Sequence, residues 1–313
     1  MPKAENQQFQ ADARSMAIAI GYKNPDYTLI ADDVLPRIPV GLKEFKYLGY
    51  DEAEMYSVPD TRVGSRSAPN QVEIEGEEKT ASCVDFGIDI PLDNDTVKTA
   101  EAAGHKPRDR AIMRATSIVQ LDRELRVAKL VADPALYHNE QKLALAGASM
   151  FTDPASDPIG IIQSMLDAAW MRPNQLTFGF GPWSAFRKHP KVVKAINKND
   201  GGEGMVSRAA VADLFEVKRI LIGEGRVNIA KPGLAPQMAR VWGAIVAGQF
   251  IDSSVSAETG GVTFGFTAQY GTRIAGSMPA NIGLRGGQFF RSGETVKELI
   301  CARRAGFLIS NVV

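Results

Sequence analysis

A hydrolytic or metal-dependent chemistry in this chain would have to draw on three histidines, His105, His138 and His189. None has a partner at the spacing of a zinc site or of a nucleophile–base–acid triad. Two carboxylate groupings, Asp32-Asp33 and Asp93-Asn94-Asp95, have the composition of general acid–base pairs. Both adjoin extended segments, where such residues serve turns and caps. The second also lacks the ligand pattern and closing glutamate of a calcium loop. The glycine runs at 223–228 (GEGRVN) and 281–287 (NIGLRGG) could aim backbone N–H groups at phosphate. Neither fits the P-loop or the dinucleotide fingerprint, and strand corners explain them. Trp170, Trp183 and Trp242 stand in apolar contexts and read as core. Cys83 and Cys301 form no motif and read as buried, reduced thiols. No catalytic residue, cofactor, cofactor-binding residue or metal ligand is expected.

With no chemistry to position, the elements themselves carry the information. The 313 residues suffice for a sizeable core and about two domains. Lysine plus arginine equal aspartate plus glutamate, 36 to 36, so the basic excess of a typical nucleic-acid reader is missing. A container for nucleic acid remains compatible, since it needs neither groove nor base contacts. No apolar run approaches ~18 residues, so no membrane span is expected. The polar start lacks the apolar core of a signal peptide, which points to synthesis in the cytoplasm.

The clearest local pattern begins at Asp157, an N-cap, with Pro158 at the first helical position. Ile159, Ile162, Met165, Leu166 and Ala169 then recur at helical spacing until Arg172-Pro173 ends the helix. A β-prone run at 176–180 follows, and Gly181-Pro182 opens further helical stretches through Ile196. Upstream, residues 109–132 contain neither proline nor glycine and predict the longest helix. Its stripe is Ile112, Ala115, Ile118, Val119, Leu125 and Ala128.

Residues up to about 45 read as an arm, since Pro36 and Pro39 forbid a continuous helix. Its apolar anchors suggest that it lies across another surface. Between 50 and 95, Val72 and Ile74, then Val84, Phe86, Ile88 and Ile90, alternate as strands do. GEEKTAS between them reads as a turn and loop, and such a hairpin needs a partner surface. Its charges are lopsided. Residues 51–80 hold eight acids against three bases, a balance of −5; residues 101–130 hold seven bases against four acids, a balance of +3. The expectation is that the acidic loop of one subunit lies on the basic helix of the next. The candidate contacts are Glu73, Glu75, Glu77, Glu78, Arg62 and Arg66 on the loop, with Arg110, Arg114, Arg123 and Arg126 on the helix.

Several segments, in order, carry a resemblance. They are IADDVLPRIPV with KYLGY, RELRVAKLV, PNQLTFGFGPWSAFRKHPKVVKAI, VSRAAVADLFEVKRILIG, VWG, TFGFT and AGFLISNVV. The chain resembles the major capsid proteins of tailed double-stranded DNA bacteriophages, the Hong Kong 97-type fold. The resemblance implies an α+β subunit: N-terminal arm at 1–48, extended loop at 49–95, peripheral domain with spine helix at 96–152 and 261–313, and axial domain at 153–260. It also implies hexamers and pentamers in an icosahedral head around double-stranded DNA, without sequence specificity. A separate scaffolding protein, a portal and a decoration protein are the implied partners, with assembly in the host cytoplasm and a final place in the virion. The alternatives are an encapsulin-like bacterial compartment shell and, from another class, a soluble enzyme.

Overall fold

The computed structural model describes residues 9–22, 29–50, 56, 58, 60–65, 67–71, 76–197, 204–252 and 261–313. The chain begins with β1 (Gln10–Ala11), α1 (Ala13–Gly21), α2 (Ala31–Val34), β2 (Arg37–Val40) and β3 (Glu44–Tyr50). Asp12 caps α1 by accepting from the Ser15 N–H. Then come β4 (Gly76–Ser82), β5 (Val84–Asp93), α3 (Asn94–Ala102), α4 (Pro107–Val131) and β6 (Lys142–Ala144). Pro107 occupies the first turn of α4, whose 25 residues span ~37 Å. The next group is α5 (Pro158–Ala168), β7 (Gln175–Gly179), α6 (Phe180–Phe186), α7 (Pro190–Asn197) and α8 (Arg208–Phe215). Asp157 caps α5 through the Gly160 N–H, as its sequence predicts. The chain continues with β8 (Arg219–Gly223), β9 (Arg226–Asn228), β10 (Met238–Arg240) and β11 (Val246–Gln249). The last strands are β12 (Gly265–Tyr270), β13 (Ile274–Ala280), β14 (Gly287–Ile300) and β15 (Gly306–Ser310). Mixed helix and strand content gives the expected α+β class.

Two sheets dominate. In the first, β14 is the axis: β5 runs antiparallel along one edge from Gly287 to Val296. Along the other edge, β13 pairs with Ala280↔Gly287 through Ile274↔Gly293, and β12 takes over from Gln269↔Val296 to Gly265↔Ile300. β12 and β13 are therefore one interrupted line, flanked further out by β2 and β1. The second sheet has the order β6-β15-β11-β7-β8. Helices α5 to α8 cover it through a core including Phe178, Trp183, Phe186 and Phe215. The C-terminal half of α4 contributes Val127, Ala128 and Val131 to a core shared with Leu35, Trp242 and Leu308, tying the two sheets together.

Strand pairing corrects several expectations. GEEKTAS is strand β4, antiparallel to β3 from Glu44↔Ser82 to Tyr50↔Gly76, and not a turn. Of GEEKTAS, the apolar cluster around Phe45 takes Ala81, a small side chain that leaves no apolar alternation to mark the strand. Val72 and Ile74 lie outside the described residues. The strand Val84–Asp93 pairs with β14, so its alternating residues do not form a hairpin with the run at 72–74. Beyond residue 29 the arm segment is held by its own subunit: Ile30, Ala31, Val34 and Leu35 are buried in the shared core. Prolines made this segment irregular without making it a free arm. β6 and β15 pair within the second sheet, so neither 142–144 nor 306–310 belongs with the β14 sheet.

Candidate assembly surfaces and the ionic hub of the long helix

The three histidines occupy structural positions. His189 is buried, with Nε2 3.2 Å from Ser156 Oγ and 3.0 Å from the Asp153 carbonyl oxygen. Its Nδ1 accepts from the Lys191 N–H at 3.3 Å. The proton therefore sits on Nε2, and the ring cannot serve as base toward Ser156. His138 Nε2 meets Arg304 at 3.2 Å, and His105 is exposed. Among the described residues no three His, Cys, Asp or Glu side chains gather as metal ligands. The glycines of 281–287 make the β13–β14 turn, with Gly283 and Gly286 at φ of 65° and 71°. Asp93 caps α3 through the Thr96 N–H. Trp183 and Trp242 are core, whereas Trp170 is 38% exposed, contrary to its apolar sequence context. Cys83 is buried and Cys301 half-buried, where burial pushes the Cys301 thiol up to about 12.

The helix α4 carries a buried charged hub. Glu124 is fully buried and accepts from the Ile30 N–H at 3.0 Å, the Ala31 N–H at 2.8 Å and Trp242 Nε1 at 2.6 Å. One carboxylate thus holds α2 and the approach to β11 onto the helix. Burial pushes its pKa above the ordinary value, against the Trp242 and backbone hydrogen bonds that favour the charge.

Arg123 was a candidate subunit contact, and the structure places it inside. It is 2% exposed, donates to Thr267 Oγ1 at 2.9 Å and to the Leu35 carbonyl at 3.2 Å, and pairs with Asp32. Burial pulls its pKa down to about 10. Its position explains this: Arg123 stands four residues after Val119 and four before Val127, on the buried stripe. The neighbouring carboxylate, Glu294 on β14, binds Arg37 at 2.9 Å and Arg273 at 3.4 Å.

Burial pushes the Glu294 carboxyl up, but Arg37, Arg273 and Arg123 outweigh it, and the net shift is downward from 4.5. A depressed folded pKa contributes stability that is present above the unfolded value and lost as pH falls through the folded one. Denaturation midpoints of wild type and Glu294→Gln therefore differ most at neutral pH and converge on acidification below about pH 4.5. Parallel profiles across that range would contradict the assignment.

The other candidates divide. Arg126 is tied within the subunit: it meets Glu298 at 3.0 Å, pairs with Asp122, and lies 3.5 Å over the Phe86 ring. Those partners come from β14, from its own helix and from β5, so its charge is spent internally. Arg110 and Arg114 are exposed on the first half of α4, and neither guanidinium pairs with a carboxylate among the described residues. They rim a groove of ≈ 540 Å³ with Ile90, Leu92 and Met113 among its lining. Arg62 is exposed, its N–H donating to Asp60 Oδ1 at 3.0 Å. Arg66, Glu73 and Glu75 lie outside the described residues. Glu77 and Glu78 stand on β4 opposite Gly49 and Leu48.

No protein-family model matches the chain. It is 43% identical over 310 residues to the major capsid protein of Pseudomonas phage JBD67, covering 98% of this chain and 99% of that one. Among solved structures it resembles a phage-related protein from Bordetella bronchiseptica RB50, with a TM-score of 0.75 at 22% identity over 98% and 99% of the two chains. It also resembles the putative capsid protein of a prophage of E. coli CFT073, with a TM-score of 0.55 at 11% identity over 97% and 99%. The two structural likenesses speak for the fold. The relative that shares 43% identity over nearly the whole chain is a phage major capsid protein, which leaves the enzyme-filled compartment shell disfavoured. The chain belongs to the phage major capsid protein family.

Proposed function

We propose that copies of this chain assemble as hexamers and pentamers into a closed icosahedral head around double-stranded DNA. The observation that carries this reading is the full-length identity to a phage major capsid protein. In this arrangement the β14 sheet and α4 form the peripheral domain, and the sheet around β11 with α5 to α8 forms the axial domain. The β3–β4 ribbon with residues 51–75 is the extended loop. DNA is enclosed without base readout, consistent with equal numbers of acidic and basic side chains. A separate scaffolding protein, a portal and a decoration protein complete the particle, which forms in the host cytoplasm. The function is mechanical and needs no catalytic residue.

Negative-stain microscopy of the protein expressed alone tests the reading. Closed shells or ring-shaped capsomers are expected; a species that stays monomeric at every concentration, with and without candidate scaffold, would overturn it.

The groove rimmed by Arg110 and Arg114 is the proposed landing place for the acidic residues Glu73, Glu75, Glu77 and Glu78 of a neighbour. Guanidiniums that pair with no carboxylate among the described residues, beside an apolar floor, suit an acidic segment with apolar side chains between its charges, such as VEIEGEE. The double variant Arg110→Glu/Arg114→Glu is expected to lower particle yield by about tenfold or more, since ~1.4 kcal/mol per contact already gives that factor. Its monomer keeps the wild-type circular dichroism spectrum. Undiminished yield would sink the contact.

A further inference from the structure

The contact between Arg304 and His138 fixes a protonation state. A guanidinium carries only N–H donors, so across the 3.2 Å to His138 Nε2 the arginine donates and the imidazole accepts. The ring is neutral there, with its proton on Nδ1. A second proton, at Nε2, turns the acceptor into a donor. It removes the hydrogen bond and sets two cations against each other.

Arg304 is held over an aromatic ring. Its guanidinium lies 4.0 Å from the centroid of the Trp170 indole, an exposed ring in a chain whose other tryptophans are interior. It therefore shields one face of an indole that otherwise meets water. Trp170 in turn receives Tyr56: the tyrosine hydroxyl donates to the Trp170 carbonyl oxygen at 2.8 Å, and the two rings meet edge-on, 5.8 Å between centroids. A line of contacts thus runs His138–Arg304–Trp170–Tyr56, from the segment after α4 to the stretch between β3 and β4. Its first link is one hydrogen bond to a half-buried ring.

The charges around His138 decide where a proton would send it. Glu140, on the same segment, has Oε2 3.9 Å from His138 Nδ1. α5 and β15 pack on the turn Asn139–Gln141. Of these, α5 brings Asp167, which pairs with Arg172 at 3.2 Å, and β15 brings no charged side chain. At the end of α4, Lys129 lies in the last turn, and Asp133 accepts from the Ala135 N–H at 2.9 Å. Arg303, beside Arg304, is exposed. Among the described residues, an imidazolium at 138 therefore has a carboxylate on its Nδ1 side and a guanidinium on its Nε2 side.

We propose that His138 is a proton-operated catch. Neutral, it holds the Arg304 guanidinium on the Trp170 face and keeps the Tyr56 contact firm. Charged, it turns to Glu140 and releases Arg304, which uncovers the indole and loosens Tyr56 from the body of the subunit. The catch works within one chain and is independent of the assembly reading. It gives the subunit a response to acid over the range in which histidine charges, about pH 5 to 8.

Acrylamide quenching of the full-length chain reads the catch, because the quencher reaches Trp170 and not the two interior indoles. From about pH 8 to about pH 5 the quenching constant is expected to rise about twofold in a single-proton step, as one of two indole faces is freed. His138→Gln keeps an acceptor for Arg304 and cannot charge, so its constant stays at the wild-type value of high pH throughout. Arg304→Met lacks the guanidinium and gives no step. His105→Gln, at an exposed position outside the line, keeps the wild-type step. A flat wild-type profile, or a step that survives in His138→Gln, overturns the catch. Should His138→Gln not fold, nitrogen NMR of the His105→Gln imidazoles decides. The two remaining rings differ in tautomer, Nδ1–H at His138 and Nε2–H at His189, and are told apart by it. The His138 ring is expected to titrate at the midpoint of the quenching step, and a different midpoint overturns the proposal.

Discussion

Replacing Glu124 with alanine removes about 3–5 kcal/mol from the subunit, a large share of the ~5–15 kcal/mol available to an ordinary domain. The loss does not come from packing volume alone. Three N–H donors, those of Ile30, Ala31 and Trp242, converge on this one carboxylate, and alanine leaves all three buried without an acceptor. They belong to two widely separated parts of the chain, 30–31 and 242, so α2 and the approach to β11 loosen together from α4. Glu124→Gln is expected to fall between wild type and Glu124→Ala, because its amide keeps one acceptor oxygen and turns an NH₂ toward the remaining donors. Urea denaturation gives the ranking, and near-ultraviolet circular dichroism reports Trp242. An unchanged midpoint for Glu124→Ala would show that water replaces the carboxylate at little cost.

Gly179→Ala is expected to cost about 3 kcal/mol, lowering the melting temperature by roughly 6–12 °C. Gly179 has an ordinary φ of −63°, so the argument is one of space and not of backbone freedom. A Cβ there would meet the Gly243 carbonyl oxygen at 2.0 Å and the Trp242 carbonyl at 3.2 Å. Both obstacles are backbone, held in place where the Gly179 N–H donates to the Ile245 carbonyl at 3.0 Å. No side-chain rotation relieves the clash; the 242–245 segment has to move, and Trp242 with it. Gly181→Ala, two residues on, meets only a Val313 methyl at 3.3 Å and is the matched control, expected to stay within about 1 kcal/mol of wild type. Equal melting temperatures for the two variants would contradict the close approach.

What the sequence disclosed was local. Asp157 and Pro158 start α5 because a cap and a first-turn proline act within four residues, and the proline-free run around Ile112–Val119 announces α4 for the same reason. β4 stayed hidden because the side chain that GEEKTAS gives to the apolar cluster around Phe45 is Ala81, too small to leave an apolar period in the segment. Arg123 was misassigned to the surface by its charge. The spacing that places it inside, from Ile112 through Thr116, Val119, Arg123, Val127 and Val131, was present all along. The placing of β6 and β15 depends on pairing across more than 150 residues, such as Leu308 with Lys142, and no short window carries that signal. The family segments were legible in their order even where their partners were not.

The seat of β15 between β6 and β11 has a consequence for the timing of synthesis. β7, β8 and β11 have all left the ribosome before Gly306 is translated, yet their sheet lacks an inner strand until Gly306–Ser310 arrives. At ~5–20 residues per second, the ~55 residues between Gln249 and Gly306 take several seconds to make. Throughout that interval the nascent chain shows β11 with one edge unpaired and Phe264 without the Gly306 backbone packed against it. A chain interrupted before β15 therefore never completes the sheet.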